Sequence, residues 1–202
     1  MEITSINYEE PRYSIRRLGI KILFIFLVSF ILGLVAGGID ALATGRENSG
    51  LLSKENYQLV TNSTSYCFAL IFITSLTLVL LEVAFRKEIN YLQYALIGCA
   101  LCLFYLLLLS VSELIPFLPS FLIAALMTVA LISIFVNGIT GKVKTMVITT
   151  AVLTAEYALI YILASIDSMA LLIGSLSMFA LIALAMYFTI KLKIENNELI
   201  LK

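Results

Sequence analysis

One residue of this chain that could carry out chemistry is an acidic side chain inside an apolar stretch. Glu156 is the twelfth residue of the apolar segment 145–165. A charged side chain at that depth of a membrane helix costs about 3 kcal/mol, so we expect Glu156 to be protonated, paired or in contact with water. Thr149 lies seven residues earlier and therefore on the same helix face. The pattern is typical of a neutral glutamic acid bonded between helices and, alternatively, of a proton or cation site.

Few residues in this chain are suited to enzyme catalysis. The chain contains no histidine, which excludes Ser-His-Asp and Cys-His catalysis and most transition-metal sites. Cys99 and Cys102 form a C-x-x-C motif, but it lies inside the apolar run GCALCLFYLLLL. Without a strand–helix redox context, such cysteines are expected to be small buried hydrophobes. We therefore expect no enzyme, no catalytic residue, no cofactor and no metal site.

A second acidic side chain ends a leucine-rich run. In LCLFYLLLLSVSELIPFLP, residues 101–119, Glu113 follows Ser110 and Ser112 and precedes two prolines. A helix that starts near residue 92 reaches about 30 Å at Glu113, which is the thickness of the hydrocarbon core. The prolines then end this helix and allow the next one to begin. The stretch is expected to be the tip of a helical hairpin, with the serines bonded to backbone carbonyls or to a neighbouring helix.

Two further patterns concern contacts of helices. Glu82 precedes Arg86 by four residues, which is the favourable order for an ion pair on a helix, and a contact to a cytoplasmic partner is the alternative. Small residues recur every four positions in the first apolar segment, at Ser29, Gly33, Gly37 and Ala41. Small residues on one face allow helices to approach closely. We expect this face to pack within the bundle, with self-association as the alternative.

The elements that must position these residues follow from composition. Hydrophobic residues make up 61% of the 202 residues and charged residues 13%, whereas soluble chains have about 45–50% and about 25%. A transmembrane helix needs about 20 apolar residues. Six segments meet or nearly meet this requirement: 18–42, 66–85, 92–115, 119–139, 145–165 and 169–190. The sequence therefore predicts an all-α, polytopic membrane protein with a bundle of six transmembrane helices.

The basic residues predict the orientation of these helices. Of the 13 Lys and Arg residues, 11 lie at or before the start of the first span, between spans two and three, between spans four and five, or after span six. Cytoplasmic segments carry such an excess, so both termini are expected inside, with 1–17 and 191–202 as cytoplasmic segments. Residues 43–65 are expected to form a short extracytoplasmic loop. The first span, 18–42, is too long for a signal peptide, whose apolar core has about 7–15 residues, and is expected to be a retained anchor.

A set of polar and aromatic positions in spans three and four follows the pattern of a known family. That pattern runs approximately Q-Y-L-L-x-G-x-A-L-x-L-F-Y-L-L-L-L-S-L-S-E-H, then Y-L-I-A-A, and the matching candidate residues here are Gln93, Tyr94, Tyr105, Ser110, Ser112 and Glu113. Glu82 resembles the acidic position of an upstream F-E-x-x-x-K, and Asp167 that of a downstream E-D-Y-A-L-L-x-G-S. The chain from residue 66 to residue 189 thus resembles the CreD family of bacterial inner-membrane proteins. The resemblance implies that residues 66–190 form a five-helix CreD-like membrane module.

Two departures from the family pattern bear on function. The family usually has a histidine after the S-E, where this chain has Leu114, and H-P before the Q-Y, where it has Asn90-Tyr91. The family also usually carries a large periplasmic domain between its first two spans, where this chain has only residues 43–65. The resemblance implies a multi-pass protein of the bacterial inner membrane. It also implies a role in envelope integrity, with links to colicin tolerance and to a β-lactam-responsive two-component system, and it implies no catalytic activity.

Two functions of different classes remain in view. The leading hypothesis is a non-enzymatic membrane protein that supports the envelope, with the lipid bilayer and another membrane protein as partners and no nucleic acid. The alternative is a small proton- or cation-coupled transporter that uses Glu156. Such transporters often show inverted repeats and helices broken at Gly or Pro near the bilayer midplane. Here two of the three prolines lie at the hairpin tip and no repeat is visible, so the sequence favours the first hypothesis.

Overall fold

The computed structural model describes residues 15–85 and 88–165, the single residues Phe179 and Ala183, and the segments 192–195 and 198–201. Within these residues six helices follow in chain order: α1 (Ile15–Asn48), α2 (Lys54–Thr64), α3 (Cys67–Phe85), α4 (Tyr91–Ser112), α5 (Phe117–Thr140) and α6 (Val143–Ser165). Two short strands, β1 (Leu192–Glu195) and β2 (Glu198–Leu201), pair antiparallel with Leu192 opposite Leu201.

Five of these helices, α1, α3, α4, α5 and α6, are long and apolar enough to cross a membrane. The last four coincide within a few residues with the predicted spans two to five. The sixth predicted span, 169–190, lies outside the described residues except for Phe179 and Ala183, which are both helical. The polytopic helical bundle that composition predicts is confirmed, and the count of six spans stays a prediction.

The strand pair is a small addition to the expected all-α fold. It lies in the segment 191–202, which is predicted to be a cytoplasmic tail. Apolar and charged residues alternate in LKIE, and Asn196-Asn197 stand between this segment and ELIL. Two short segments rich in apolar residues on either side of two turn-forming residues are the sequence pattern of a hairpin.

Local sequence sets the ends of α4 and α5. The Asn90 N–H donates to Gln93 Oε1 at 2.8 Å, which satisfies a backbone donor at the start of α4. Pro119 lies in the first turn of α5, where its missing N–H costs nothing. α5 ends at Gly141, whose φ of 62° is a left-handed conformation that glycine adopts without strain. The α4–α5 and α5–α6 connections are therefore tight, and these helices pack as antiparallel neighbours.

α2 and α3 together run antiparallel to α1. Thr44 Oγ1 and Tyr57 Oη lie 3.3 Å apart, and a Cβ placed on Gly33 would lie 3.3 Å from Phe68 Cβ. Gly33 precedes Thr44 by as many residues as Tyr57 precedes Phe68. The two contacts are therefore equally spaced along α1 and along the α2–α3 segment, which run in opposite directions. Both α2 and α3 also contact α4 and α6. They are therefore two successive pieces of one interrupted helix.

The interruption lies beside the middle of α4 and the last turn of α6. α4 has 22 residues, about 33 Å at about 1.5 Å per residue, which is close to the thickness of the hydrocarbon core. Cys102, in the middle of α4, lies within hydrogen-bonding reach of Cys67, the first residue of α3. Asn56 Nδ2, at the start of α2, donates to the Ser112 carbonyl at the end of α4, at 2.8 Å. α2 therefore lies beside the second half of α4, and we call that end of the bundle the Glu113 end and the opposite one the Lys21 end.

This arrangement differs from the loop expected for residues 43–65. α1 continues to Asn48, and the segment that follows its turn is helix α2 rather than irregular chain. The interruption after α2 needs neither Gly nor Pro. The hydroxyls of Ser63, Thr64 and Ser65 donate to carbonyls four residues earlier, at 2.8, 2.9 and 3.2 Å.

Such hydroxyl bonds compete with the helical backbone ladder and bend helices. The Tyr66 N–H then bonds to the Ser63 carbonyl, only three residues back, at 3.1 Å. That spacing belongs to a 3₁₀ turn, and such turns inside a helix often mark functional hinges. The break is thus encoded by the three consecutive hydroxyl residues Ser63, Thr64 and Ser65.

The small residues of α1 do not share one packing face. Ser29 is fully buried and Gly33 approaches Phe68, but Gly37 and Ala41 lie on the exposed side of α1. A step of four residues turns the helix by about 40° beyond a full turn, so three steps move a residue by about 120°. Burial instead follows steps of seven, through Ser29, Ala36 and Ala43.

Candidate functional site

Glu156 on α6 is buried inside the bundle and faces α3. The residue is 8% exposed, and Thr74 Oγ1 of α3 donates to its carboxyl oxygen Oε2 at 2.5 Å. The other oxygen, Oε1, is buried and has no hydrogen-bond partner among the described residues. A buried carboxyl oxygen without a partner is costly in a protein interior unless water or a proton satisfies it. Glu156 therefore offers one occupied and one open oxygen near the middle of the bundle.

A line of hydroxyls continues from Glu156 toward the Lys21 end. Thr149 and Thr145 lie on the buried side of α6, each 1% exposed, and within the described part of the chain neither Oγ1 has a partner. Thr149 lies about 10 Å and Thr145 about 16 Å below Glu156 along the helix axis. Thr150, one position round the helix, is satisfied, because its hydroxyl contacts Ser133 Oγ at 2.7 Å. Thr145 and Thr149 thus lie on the Glu156 face of α6, and the buried Tyr157 hydroxyl, on the neighbouring face, also has no partner among the described residues.

The interruption between α2 and α3 lies beside another unsatisfied hydroxyl. Tyr105 of α4 is fully buried, and its hydroxyl has no hydrogen-bond partner among the described residues. It lies within electrostatic reach of Cys67, Cys102 and Glu156. Tyr105 therefore connects the helix break with the Glu156 carboxyl group.

The structure places the cysteines differently from the C-x-x-C motif. Cys99 is exposed and Cys102 is buried, so the two side chains do not face a common neighbour. Cys102 instead lies beside Cys67 of α3, and all three thiols are free. Across residues 15–85 and 88–165, no three acidic or cysteine side chains come together as a metal site would require.

Glu82 belongs to a second buried polar cluster, at the Lys21 end. Lys21 of α1 forms an ion pair with Glu82 of α3, and Tyr94 of α4 donates to the other carboxyl oxygen at 2.8 Å. Lys21 also donates to the Ile89 carbonyl at 3.0 Å. The expected partner Arg86 lies outside the described residues, and sequence spacing alone did not point to Lys21, which is 61 residues away. Tyr94, which the family resemblance singles out, thus donates a hydrogen bond to this carboxylate.

Glu113 lies in a third cluster, at the Glu113 end. Arg46 Nη1 at the end of α1 is 3.4 Å from Glu113 Oε2. Asn56 Nδ2 of α2 donates to the Ser112 carbonyl and, at 3.4 Å, to the Ile115 carbonyl. Arg46 is one of only two basic residues in the segments predicted to be extracytoplasmic, and this isolated charge was a signal that an acidic partner lies nearby. We call Arg46, Asn56, Ser112 and Glu113 the tip cluster.

The two serines before Glu113 do not act as a set. Ser112 is buried and its hydroxyl donates to the Leu108 carbonyl, whereas Ser110 is exposed on another side of α4. Two residues along a helix turn the side chain by about 200°, which explains the separation. Gln93 caps the start of α4 and reaches neither buried cluster. Asp167 lies outside the described residues.

Comparison with known proteins confirms the family resemblance. The family described as Inner membrane protein CreD matches residues 50–195, a range that includes α2 to α6 and the predicted sixth span. The inner membrane protein CreD of Escherichia coli (strain K12) is 32% identical over 136 residues. Those residues cover 67% of this chain and 30% of that relative, so the chain matches less than a third of the relative's length.

No solved structure matches the chain. The family match covers more than half of the residues, and it coincides with a bundle that carries five membrane-length apolar helices. Both findings agree on a multi-pass protein of the inner membrane. The chain belongs to the CreD family of inner membrane proteins.

Proposed function

We propose that this protein is a non-enzymatic membrane module that supports the cell envelope by binding another membrane protein through its extracytoplasmic tip. The observation that carries the proposal is the tip cluster. Arg46, Asn56 and Glu113 join the end of α1, the start of α2 and the α4–α5 turn through polar contacts. Three separate segments are thereby held in one arrangement at the end that the basic residues assign to the outside.

The surface around the tip cluster is suited to contact another protein in the membrane. Leu114, directly after Glu113, is 84% exposed, and Leu51 in the α1–α2 turn is 54% exposed. Apolar side chains next to a fixed charged pair, at the level of the lipid headgroups, combine adhesive area with orientation. The family usually has a histidine at the position of Leu114, so this chain presents a more apolar tip.

The test is crosslinking in living cells. A photoreactive amino acid at position 114 is expected to give a discrete protein adduct, and the same probe at Leu126, which is 68% exposed on α5, is expected to react only with lipid. Glu113→Gln should remove the adduct at position 114 and raise sensitivity to detergent or β-lactam together. Identical adducts at both positions, or an adduct at 114 that survives Glu113→Gln with a normal envelope, would overturn the proposal.

A further inference from the structure

Eight buried polar side-chain atoms have no hydrogen-bond partner among the described residues, and four of them form a series. Those of Tyr105, Glu156, Thr149 and Thr145 follow one another from the helix break toward the Lys21 end. Native interiors leave few such groups without a partner, and ordered water usually satisfies those that remain. A series of four at successive depths therefore points to a series of water molecules rather than to one.

The half of the bundle above this series is polar as well. α2 lies beside the second half of α4, and Gln58 of α2 and Ser65, which directly follows α2, are exposed. Asn62 of α2 donates to the Ala164 carbonyl near the end of α6, at 3.4 Å. A membrane helix with an apolar outer half would seal the Glu113 end, but α2 places amide and hydroxyl groups along it.

We propose that α2, α3, α4 and α6 enclose a chain of water molecules that crosses the bundle, and that Glu156 passes protons along it. Water enters between α2 and α4 at the Glu113 end and reaches the break beside Tyr105. The open Oε1 of Glu156 accepts a proton from this water, and the proton leaves to water held by Thr149 and Thr145. Each transfer moves one proton between oxygen atoms, and Glu156 returns to its starting state after each passage. This role is separate from partner binding at the tip cluster.

The surroundings of Glu156 favour a proton over a metal cation. Thr74 of α3 donates to its carboxyl group, and the titratable groups within reach are Tyr105 of α4 and Tyr157 of α6 itself, with Cys67 of α3 near both tyrosines. α5 carries no titratable side chain. A metal cation needs several oxygen ligands at once, whereas only one carboxyl group is present here. Single hydroxyls about 6–10 Å apart can order water but cannot form a cage around a cation.

The experiment uses the full chain in liposomes that contain a pH-sensitive dye. A potassium gradient with valinomycin sets a negative interior potential, and we expect proton uptake above that of protein-free liposomes. Glu156→Gln keeps the shape and hydrogen bonding but cannot ionise, so uptake should fall to the protein-free level. Glu156→Asp should retain part of it, and Thr149→Val should lower it. Thr154→Val is the matched control, because Thr154 lies on the exposed side of α6 and its hydroxyl bonds only to its own helix.

Size-exclusion profiles and helical circular dichroism identify any variant that fails to fold. If Glu156→Gln does not fold, the comparison of Thr149→Val with Thr154→Val decides the matter on its own. No proton uptake by the wild type, or equal uptake by the wild type and a folded Glu156→Gln, would overturn the proposal. Uptake of radioactive sodium instead of protons would also overturn it and would assign the site to a metal cation. None of these results depends on the tip cluster.

Discussion

Lys21 and Glu82 form an ion pair inside the bundle, between the first part of α1 and the last turn of α3. The side chain of Lys21 is 14% exposed and that of Glu82 is 2% exposed. Tyr94 of α4 donates to the same carboxyl group, so the cluster joins three helices. Its position beside the 88–90 connection agrees with the predicted cytoplasmic side, where Lys and Arg are in excess.

We predict that Lys21→Met destabilises the folded protein by about 3–5 kcal/mol, because a buried carboxylate would lose its charged partner. Lys21→Met together with Glu82→Leu should recover much of this loss, since an apolar pair of similar volume carries no desolvation penalty. Unfolding in mixed micelles measures both. Lys144→Met, at an exposed position, is the control and should change stability little. Equal stability of Lys21→Met and Lys144→Met would show that the buried pair does not form.

The Thr74–Glu156 hydrogen bond allows a second prediction. Thr74→Val should lower stability by about 0.6 kcal/mol and at most about 2, the range of interhelical hydrogen bonds in membranes. Glu156→Gln should be close to neutral for stability, because glutamine can still accept from Thr74. A double-mutant cycle with Thr74→Val and Glu156→Leu measures the coupling between the two side chains. A coupling of zero would contradict the contact.

The apolar helices and the depth of Glu156 could be predicted from sequence because hydropathy and 1.5 Å of rise per residue fix both. The hairpin tip at Glu113 could be predicted because the prolines that follow it end one helix and allow the next to begin. Helix α2 could not be predicted, because its polar residues are typical of a loop and its contacts with α1, α4 and α6 are not visible in the sequence. Partners such as Lys21 and Thr74 also depend on which helices are neighbours, and periodicity within one helix carries no such information.

Gly98 gives a prediction about packing between α1 and α4. A Cβ at this position would lie 2.8 Å from Leu32 Cδ1. Alanine can be accommodated if the end of the Leu32 side chain moves, but Gly98→Val adds two more methyl groups and should cost about 1–3 kcal/mol by overpacking. Gly138→Val on α5 is the matched helical control, since no atom lies within 4 Å of the added Cβ. Comparable midpoints for the two variants would argue against a close α1–α4 approach.

The orientation of the bundle is testable with single cysteines, after Cys67, Cys99 and Cys102 have been replaced. Ser49→Cys in the α1–α2 turn and Lys144→Cys at the start of α6 are both exposed positions. If both termini are cytoplasmic, an impermeant thiol reagent added to intact cells should label position 49 and should label position 144 only after the cells are opened. Labelling of position 144 in intact cells would reverse the orientation and place the tip cluster inside.

The tip cluster is the part of the structure on which the proposed envelope role depends, and a charge exchange tests it most directly. The Arg46–Glu113 pair is partly exposed and should contribute at most about 1 kcal/mol to stability, so single changes should leave the protein inserted and abundant. We predict that Arg46→Glu and Glu113→Arg each raise detergent and β-lactam sensitivity, and that the double variant restores resistance. Normal resistance in both single variants, at wild-type protein levels, would contradict the account.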